Sequence, residues 1–94
     1  MTNKYVITTE SGSEYTVWEK DGKFTLSANN VPNPLSEKLP RDLTWELTGK
    51  PDPWPPKYGE PLMLCFLKPP SGADFRLKRT SKVKWFYTVN LMSA

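Results

Sequence analysis

Short runs of β-branched and aromatic residues alternate with turn residues over the first thirty positions of the chain. The runs at 5–9, 15–19 and 23–28 are typical of strands, in which such side chains are enriched. Ser11-Gly12-Ser13 separates the first two runs, and Asp21-Gly22 separates the second from the third. Asp-Gly favours a type I′ hairpin turn, because both central residues of that turn need positive φ. This region therefore predicts a three-stranded antiparallel meander.

Three later segments also carry strand patterns. Residues 43–48 place apolar side chains at every second position, which predicts a strand with one buried face. Residues 62–67 (LMLCFL) are apolar throughout and predict a central strand that is covered on both sides. Residues 75–91 predict a long strand or a hairpin, with a bulge or turn near Thr80-Ser81, where polar residues interrupt the alternation.

Proline-rich segments at residues 29–42 and 49–61 interrupt these strands. Proline lacks the N–H that a sheet ladder needs, so both segments are expected to form loops, the second close to polyproline II. No segment has a sustained helical period. The pattern predicts one all-β domain over residues 1–94, a small SH3-like or OB-like barrel of about six antiparallel strands with two long proline-rich loops.

The alternation also predicts which side chains form the core. In the last segment, Val83, Trp85 and Tyr87 share the buried face, and Phe86 faces solvent. On this assignment Trp85→Ala costs about 3–5 kcal/mol, enough to unfold a domain of this size. The predicted core comprises Tyr5 or Val6, Val17, Phe24, Leu26, Leu43, Trp45, Leu47, Leu64, Phe66, Val83, Trp85 and Tyr87.

The composition excludes several kinds of chemistry. The chain has no histidine, so it has no histidine general base, no Ser-His or Cys-His nucleophilic pair and no imidazole metal ligand. Its single cysteine, Cys65, provides neither an intramolecular disulfide nor a cysteine-rich zinc site. The N-terminus lacks a signal-peptide pattern, and no apolar run approaches the ~20 residues of a membrane helix. We therefore expect a cytoplasmic protein that is not an enzyme and has no cofactor, metal or membrane association.

Charge is unevenly distributed along the chain. Residues 1–47 carry 5 cationic and 7 anionic side chains, a net charge of −2, whereas residues 48–94 carry 8 and 3, a net charge of +5. The last segment concentrates cations beside the outward Phe86: Arg76, Lys78, Arg79, Lys82 and Lys84. Cations that follow phosphates and a ring that stacks on bases are the combination found in single-stranded nucleic-acid binders. A solvated sheet edge, where lysines prevent edge-to-edge pairing, is the alternative interpretation.

The second proline-rich segment contains an aromatic pair, Trp54 and Tyr58, with Lys57 between them. A tryptophan among prolines predicts an anchor offered to a protein partner or a ligand for a proline-reading domain. Alternatively, both rings fold back and cap an open end of the barrel. Four acidic residues flank the predicted turns and are expected to be exposed rather than to form an acid–base pair: Glu10, Glu14, Glu19 and Asp21. Cys65 lies in an apolar run and is expected to be an inert core residue.

Three short pieces of the sequence carry a resemblance to a known group. They are the opening Tyr5-Val6-Ile7-Thr8-Thr9-x-Ser11-Gly12-Ser13-x-Tyr15-x-Val17, the later Gly59-x-Pro61-Leu62, and Thr80-Ser81-x-Val83. They resemble small β-rich proteins of bacteriophages and their bacterial hosts. The resemblance implies a viral or mobile-element setting, in which small proteins commonly bind a host component, and it implies no activity, cofactor or catalytic residue.

These features together favour a non-enzymatic binding protein, present as a monomer or homodimer. We expect it to contact an acidic host protein surface through Trp54, Lys57 and Tyr58 and through the basic strand. Two alternatives stay open. One is a single-stranded nucleic-acid-binding barrel that uses Lys82, Lys84 and Phe86. The other is a protein that sequesters a small anionic ligand, such as a nucleotide, at an oligomer interface.

Overall fold

Six antiparallel strands form a single curled sheet in the computed structural model, which describes residues 2–30, 44–68 and 76–91. Their order across the sheet is β4-β3-β2-β1-β6-β5. None of the described residues lies in a helix, and the predicted all-β class is confirmed. The strands are β1 (Thr2–Thr9), β2 (Glu14–Lys20), β3 (Lys23–Asn30), β4 (Thr44–Glu46), β5 (Pro61–Cys65) and β6 (Leu77–Leu91).

The first three strands form the predicted meander. Tyr5 pairs with Val17, and Val17 pairs with Leu26, so the apolar side chains of neighbouring strands share one face. Asp21 and Gly22 both have positive φ, 51° and 77°, as a type I′ turn requires. The Asp-Gly turn therefore sets the register that brings these side chains together on the inner face of the sheet.

The two edges of the sheet meet at one end, which gives the sheet its half-barrel shape. Leu47, next to β4, forms a bridge with Phe66, next to β5. Two backbone hydrogen bonds of 2.9 Å flank this bridge, from the Thr48 N–H to the Cys65 carbonyl and from the Leu67 N–H to the Glu46 carbonyl. Closure at this end satisfies backbone groups that the short edge strands would otherwise expose.

The core fills the inner side of the curled sheet. Trp45 is half-buried there, with its ring centroid 6.3 Å from that of Phe66, and Tyr5 is likewise half-buried against the core. Val6 is also buried, but its alternation with Tyr5 places it on the outer face. The buried cluster comprises Ile7, Tyr15, Val17, Phe24, Leu26, Ala28, Leu47, Leu62, Leu64, Phe66 and Val83.

Two irregularities in β6 decide which of its side chains enter the core. Between Arg79 and Lys82, β6 contains one more residue than the facing part of β5, which confirms the bulge predicted near Thr80-Ser81. A second extra residue follows at Lys84, because Thr9 pairs with Val83 whereas Thr8 pairs with Trp85. An inserted residue reverses the alternation of the side chains that follow it.

The prediction that Trp85 and Tyr87 belong to the core is wrong for this reason. Val83 is buried, but Trp85 and Tyr87 lie beyond the second bulge and face solvent. The prediction that Phe86 faces outward is wrong in the same way, because its side chain is half-buried and packs against the core.

The predicted placement of residues 62–67 is also partly wrong. β5 lies at the edge of the sheet rather than at its centre. Leu62, Leu64 and Phe66 are buried, but the alternate residues Cys65 and Leu67 are exposed, so Cys65 is not a core residue. This segment therefore buries only one of its two faces.

Several sequence predictions fall on residues 31–43 and 69–75, outside the described part of the chain. They concern the core position Leu43 and nearly all of the first proline-rich loop. The second proline-rich segment connects β4 to β5, and within it Asp52 forms a bridge with Met63.

Substitutions at Phe66 and Trp85 test the observed assignment of the core. Phe66 is fully buried, so Phe66→Ala should lower the free energy of unfolding by about 3–5 kcal/mol. Trp85 is 55% exposed, so Trp85→Ala should lower it by less than about 1.5 kcal/mol. Urea unfolding measures both values, and Phe66→Leu provides a milder variant if the alanine variant does not fold. Equal losses at the two positions would contradict the reversed alternation.

Burial also raises the pKa of the Tyr15 phenol above its ordinary value of 10.0, although the hydrogen bond with Ser13 opposes this shift. The folded protein therefore holds the phenol proton more tightly than the unfolded chain does. We expect the contribution to stability to be complete below pH 10 and to be lost as the pH rises through the raised pKa. Urea unfolding at about pH 8 and about pH 11 should show a larger loss for the wild-type protein than for Tyr15→Phe. The same loss in both proteins would contradict this origin.

Candidate functional site

Three alternate residues of β6 form an exposed apolar row on the outer face of the sheet. Trp85 is 55% exposed, Tyr87 57% and Val89 37%. Their spacing along the strand is about 6.6–6.8 Å, because every second residue of a strand shares a face. We call this row the β6 stripe. Tryptophan and tyrosine dominate binding energy at protein interfaces, so two adjacent exposed rings are a candidate contact surface.

The middle of the outer face, next to β6, is buried. Tyr87 pairs across the sheet with Val6, Val6 with Thr16, and Thr16 with Ser27. The latter three side chains are buried, with 5%, 2% and 7% exposure. The middle of this face is therefore closed to a ligand, whereas the strand next to it is open.

The predicted cations lead along β6 towards the β6 stripe. Arg76 precedes the strand, and Arg79, Lys82 and Lys84 follow within it; all four are exposed. Lys78 differs from these four because it is half-buried and interacts with another residue of the protein. The Lys84 Nζ lies 5.3 Å from the centroid of the Trp85 ring, within the range of a cation–π contact. The exposed ring beside these cations is therefore Trp85, whereas the sequence pattern predicted Phe86.

The two aromatic residues of the second proline-rich segment, Trp54 and Tyr58, lie in different surroundings. Trp54 is half-buried, with its ring centroid 4.5 Å from Tyr5 and 5.6 Å from Phe24. It caps the inner face of the sheet, as the alternative interpretation held, and is not free to act as an anchor. Tyr58 is 67% exposed, and the adjacent Lys57 is also exposed. The ring centroids of Tyr58 and Phe86 are 5.4 Å apart, so Tyr58 reaches β6 on the face opposite the β6 stripe.

A groove of about 580 Å³ beside Trp18 was not predicted from the sequence. It lies on the outer face, at the end of the meander that contains the Asp-Gly turn. Lys20 and Lys23 line the groove and pair directly across the two strands. Its other lining residues include Thr2, Asp21 and Thr25. Trp18 is the residue that could have indicated this groove from the sequence. Because side chains alternate along a strand, it lies on the face opposite to Tyr15 and Val17, which is the outer face.

The remaining candidate residues, the four acidic side chains and Cys65, differ in their exposure. Glu10 and Asp21 are exposed, Glu14 and Glu19 are half-buried, and the Asn3 side-chain amide donates to Glu19 at 3.5 Å. Cys65 carries a free, exposed thiol. Within residues 2–30, 44–68 and 76–91, no group of three or more Asp, Glu or Cys side chains is placed to hold a metal ion.

No protein-family model, curated protein or solved structure matches the chain. The resemblance to small phage proteins therefore stays a prediction. In the part of the chain that the structure describes, no helix has the length and apolar character needed to span a membrane.

The different surroundings of Trp54 and Tyr58 lead to different effects of substitution. Trp54→Ala removes a ring that packs on Tyr5 and Phe24 and should lower the free energy of unfolding by about 2–4 kcal/mol. Tyr58→Ala removes a largely exposed ring and should cost less than about 1 kcal/mol. Urea unfolding of the two variants measures this difference. If Trp54→Ala proved harmless, its capping role would be wrong and its role as a partner anchor would return.

Proposed function

We propose that the protein is a non-enzymatic binding protein that docks the β6 stripe and its neighbouring cations on an acidic protein surface. The observation that carries the proposal is the exposure of Trp85 and Tyr87 side by side on one strand. Exposure of these two rings to water does not stabilise the fold, because it forgoes the free energy that burial of apolar surface would provide. A partner that covers the two rings gains that free energy on binding.

The surroundings of the β6 stripe suggest the character of the partner. Lys84 borders Trp85, and Lys82 and Arg79 continue the positive charge along the strand. The matching surface has an apolar pocket for the two rings and carboxylates at its rim. Charges at the rim of an interface mainly raise the rate of association, whereas buried rings lower the rate of dissociation. In the phage setting that the resemblance implies, the partner is a host protein.

The roles of the loop residues change accordingly. Tyr58 and Lys57 are exposed, but Tyr58 contacts Phe86 on the face opposite the β6 stripe, so this loop lies outside the proposed docking surface. Trp54 packs on Tyr5 at the inner face of the sheet, so it contributes to binding only by stabilising the fold.

A second candidate function, binding of single-stranded nucleic acid, is favoured by the contact between Lys84 and Trp85. A cation beside an exposed ring serves both a phosphate and a stacked base. In this version Lys82, Lys84 and Trp85 form the site, and Trp85 takes the place of Phe86. The closed middle of the outer face leaves only a narrow path for a strand, which is why we prefer a protein partner.

Partner capture with matched variants tests the proposal. The immobilised protein should retain an acidic protein from a lysate of the cells in which it is naturally made. The double variant Trp85→Ala/Tyr87→Ala should retain at least about tenfold less of this protein. Leu77→Ala is the control, because Leu77 is 54% exposed on β6 but lies outside the β6 stripe. Equal capture by both variants would refute the docking surface.

Fluorescence anisotropy of labelled single- and double-stranded oligonucleotides, measured at two salt concentrations, separates the two functions. Affinity that is submicromolar and falls steeply with salt would replace the protein partner by nucleic acid. Direct titration of the protein with a free nucleotide tests the small anionic ligand, for which the groove with Lys20 and Lys23 is the candidate site.

A further inference from the structure

In the part of the chain that the structure describes, no strand pairs with one side of β6 over its second half. β5 pairs with β6 only between Leu77 and Lys82. The loop before β5 extends this pairing by one residue, because Gly59 donates to the Val83 carbonyl at 2.8 Å and Val83 donates to the Glu60 carbonyl at 2.9 Å. Beyond Val83, no strand among residues 2–30, 44–68 and 76–91 pairs with this side.

The register of β1 shows which backbone groups point to the open side. Thr9 donates to the Ser13 carbonyl and so directs its backbone groups towards β2. Because these directions alternate along a strand, Thr8, Val6 and Lys4 direct theirs towards their partners in β6, Trp85, Tyr87 and Val89. The intervening residues of β6, Phe86, Thr88 and Asn90, therefore direct their N–H and carbonyl groups away from β1, to the open side.

The sequence protects the first half of this strand against pairing and leaves the second half unprotected. Lysines and bulges are the usual protection of a sheet edge, and both occur up to Lys84. Residues 85–91 (WFYTVNL) contain no charge, no proline and no glycine, and they are rich in residues that favour strands. Such an edge is a ready template for another strand.

We propose that the occupant of this edge is a second copy of the chain, paired antiparallel through residues 85–91 about a two-fold axis at Thr88. In this register Thr88 faces Thr88 of the second copy, and Phe86 faces Asn90 of the second copy. The three edge-facing residues of each chain then form about six backbone hydrogen bonds. The two sheets become one continuous sheet of a closed, isologous dimer.

Two properties of β6 select the antiparallel arrangement. The five cations from Arg76 to Lys84 lie on one side of the axis, so the two basic segments point to opposite ends of the dimer. A parallel arrangement would place them side by side, where like charges repel. On the outer face, Tyr87 meets Val89 of the second copy at a non-hydrogen-bonded position, where side chains approach most closely. The pairing thus places an aromatic side chain against a β-branched one twice, by symmetry.

The dimer extends the proposed docking surface without covering it. Edge pairing uses the backbone of β6 and leaves the outer faces of the rings open, so the two β6 stripes join into one surface with a basic segment at each end. Pairing through seven residues of one strand makes a small interface, and small interfaces are typical of weak complexes, so we expect a dissociation constant on the order of 10–100 μM.

Sedimentation of the full chain from about 5 μM to about 500 μM tests the dimer, since this range brackets the expected constant. The mass should rise from the monomer value of 10.8 kDa towards twice that value. Thr88→Pro removes an N–H that faces the open side and spares the pairing with β1, so it should raise the dissociation constant at least about tenfold. Thr88→Ala keeps the N–H and should dimerise like the wild-type protein.

A charge exchange tests the register and does not depend on how the proline variant folds. Thr88→Lys and Thr88→Glu each place like charges at the axis and should be monomers when alone. An equimolar mixture of the two should recover the dimer. A wild-type chain that stays at 10.8 kDa, charged variants that associate like the wild type, or growth beyond the dimer would each overturn the proposal. A monomer that still captures an acidic partner through Trp85 and Tyr87 would refute the dimer alone.

Discussion

The whole architecture depends on β6, which pairs with different neighbours along its two halves. Residues up to Lys82 pair with β5, and residues from Val83 pair with β1. This single strand therefore connects the N-terminal meander to the segment that closes the half-barrel. A regular strand of 15 residues would be too straight to follow a small curled sheet, and the two bulges provide the additional bend. The same bulges determine which side chains of β6 reach the core.

Local features of the fold could be predicted from the sequence because they depend on neighbouring residues. The Asp21-Gly22 turn and the alternation around Val17 and Leu26 contain all the information that the meander needs. The bulge at Thr80-Ser81 was predictable because polar residues interrupted an apolar pattern. The bulge at Lys84 left no such signal, since the residues on both sides of it continue the alternation without a break. Trp85 consequently lies on the outer face and Phe86 on the inner face, the reverse of the prediction.

The candidate site was predictable in its charges but not in its rings. A run of cations stays on the surface almost wherever the strand turns, because burial of an unpaired charge is costly. The position of an aromatic ring depends on distant contacts, as Trp54 shows by packing on Tyr5 and Phe24, which lie far from it in the sequence. The sequence placed Trp54 on a loop correctly. Its half-burial follows from the curvature of the sheet, which only the complete set of strand pairings defines.

The position of β1 between β2 and β6 has a consequence for the order of events during synthesis. β2 follows β1 after a short turn, so the meander can form as soon as those residues leave the ribosome. The other side of β1 must wait for β6, about 70 residues later, which at ribosomal speed is about 4–14 s. During this interval the N-terminal half exposes the inner face of its sheet and an unpaired edge. β6 is thus the strand whose synthesis ends the period in which the nascent chain is most prone to aggregate.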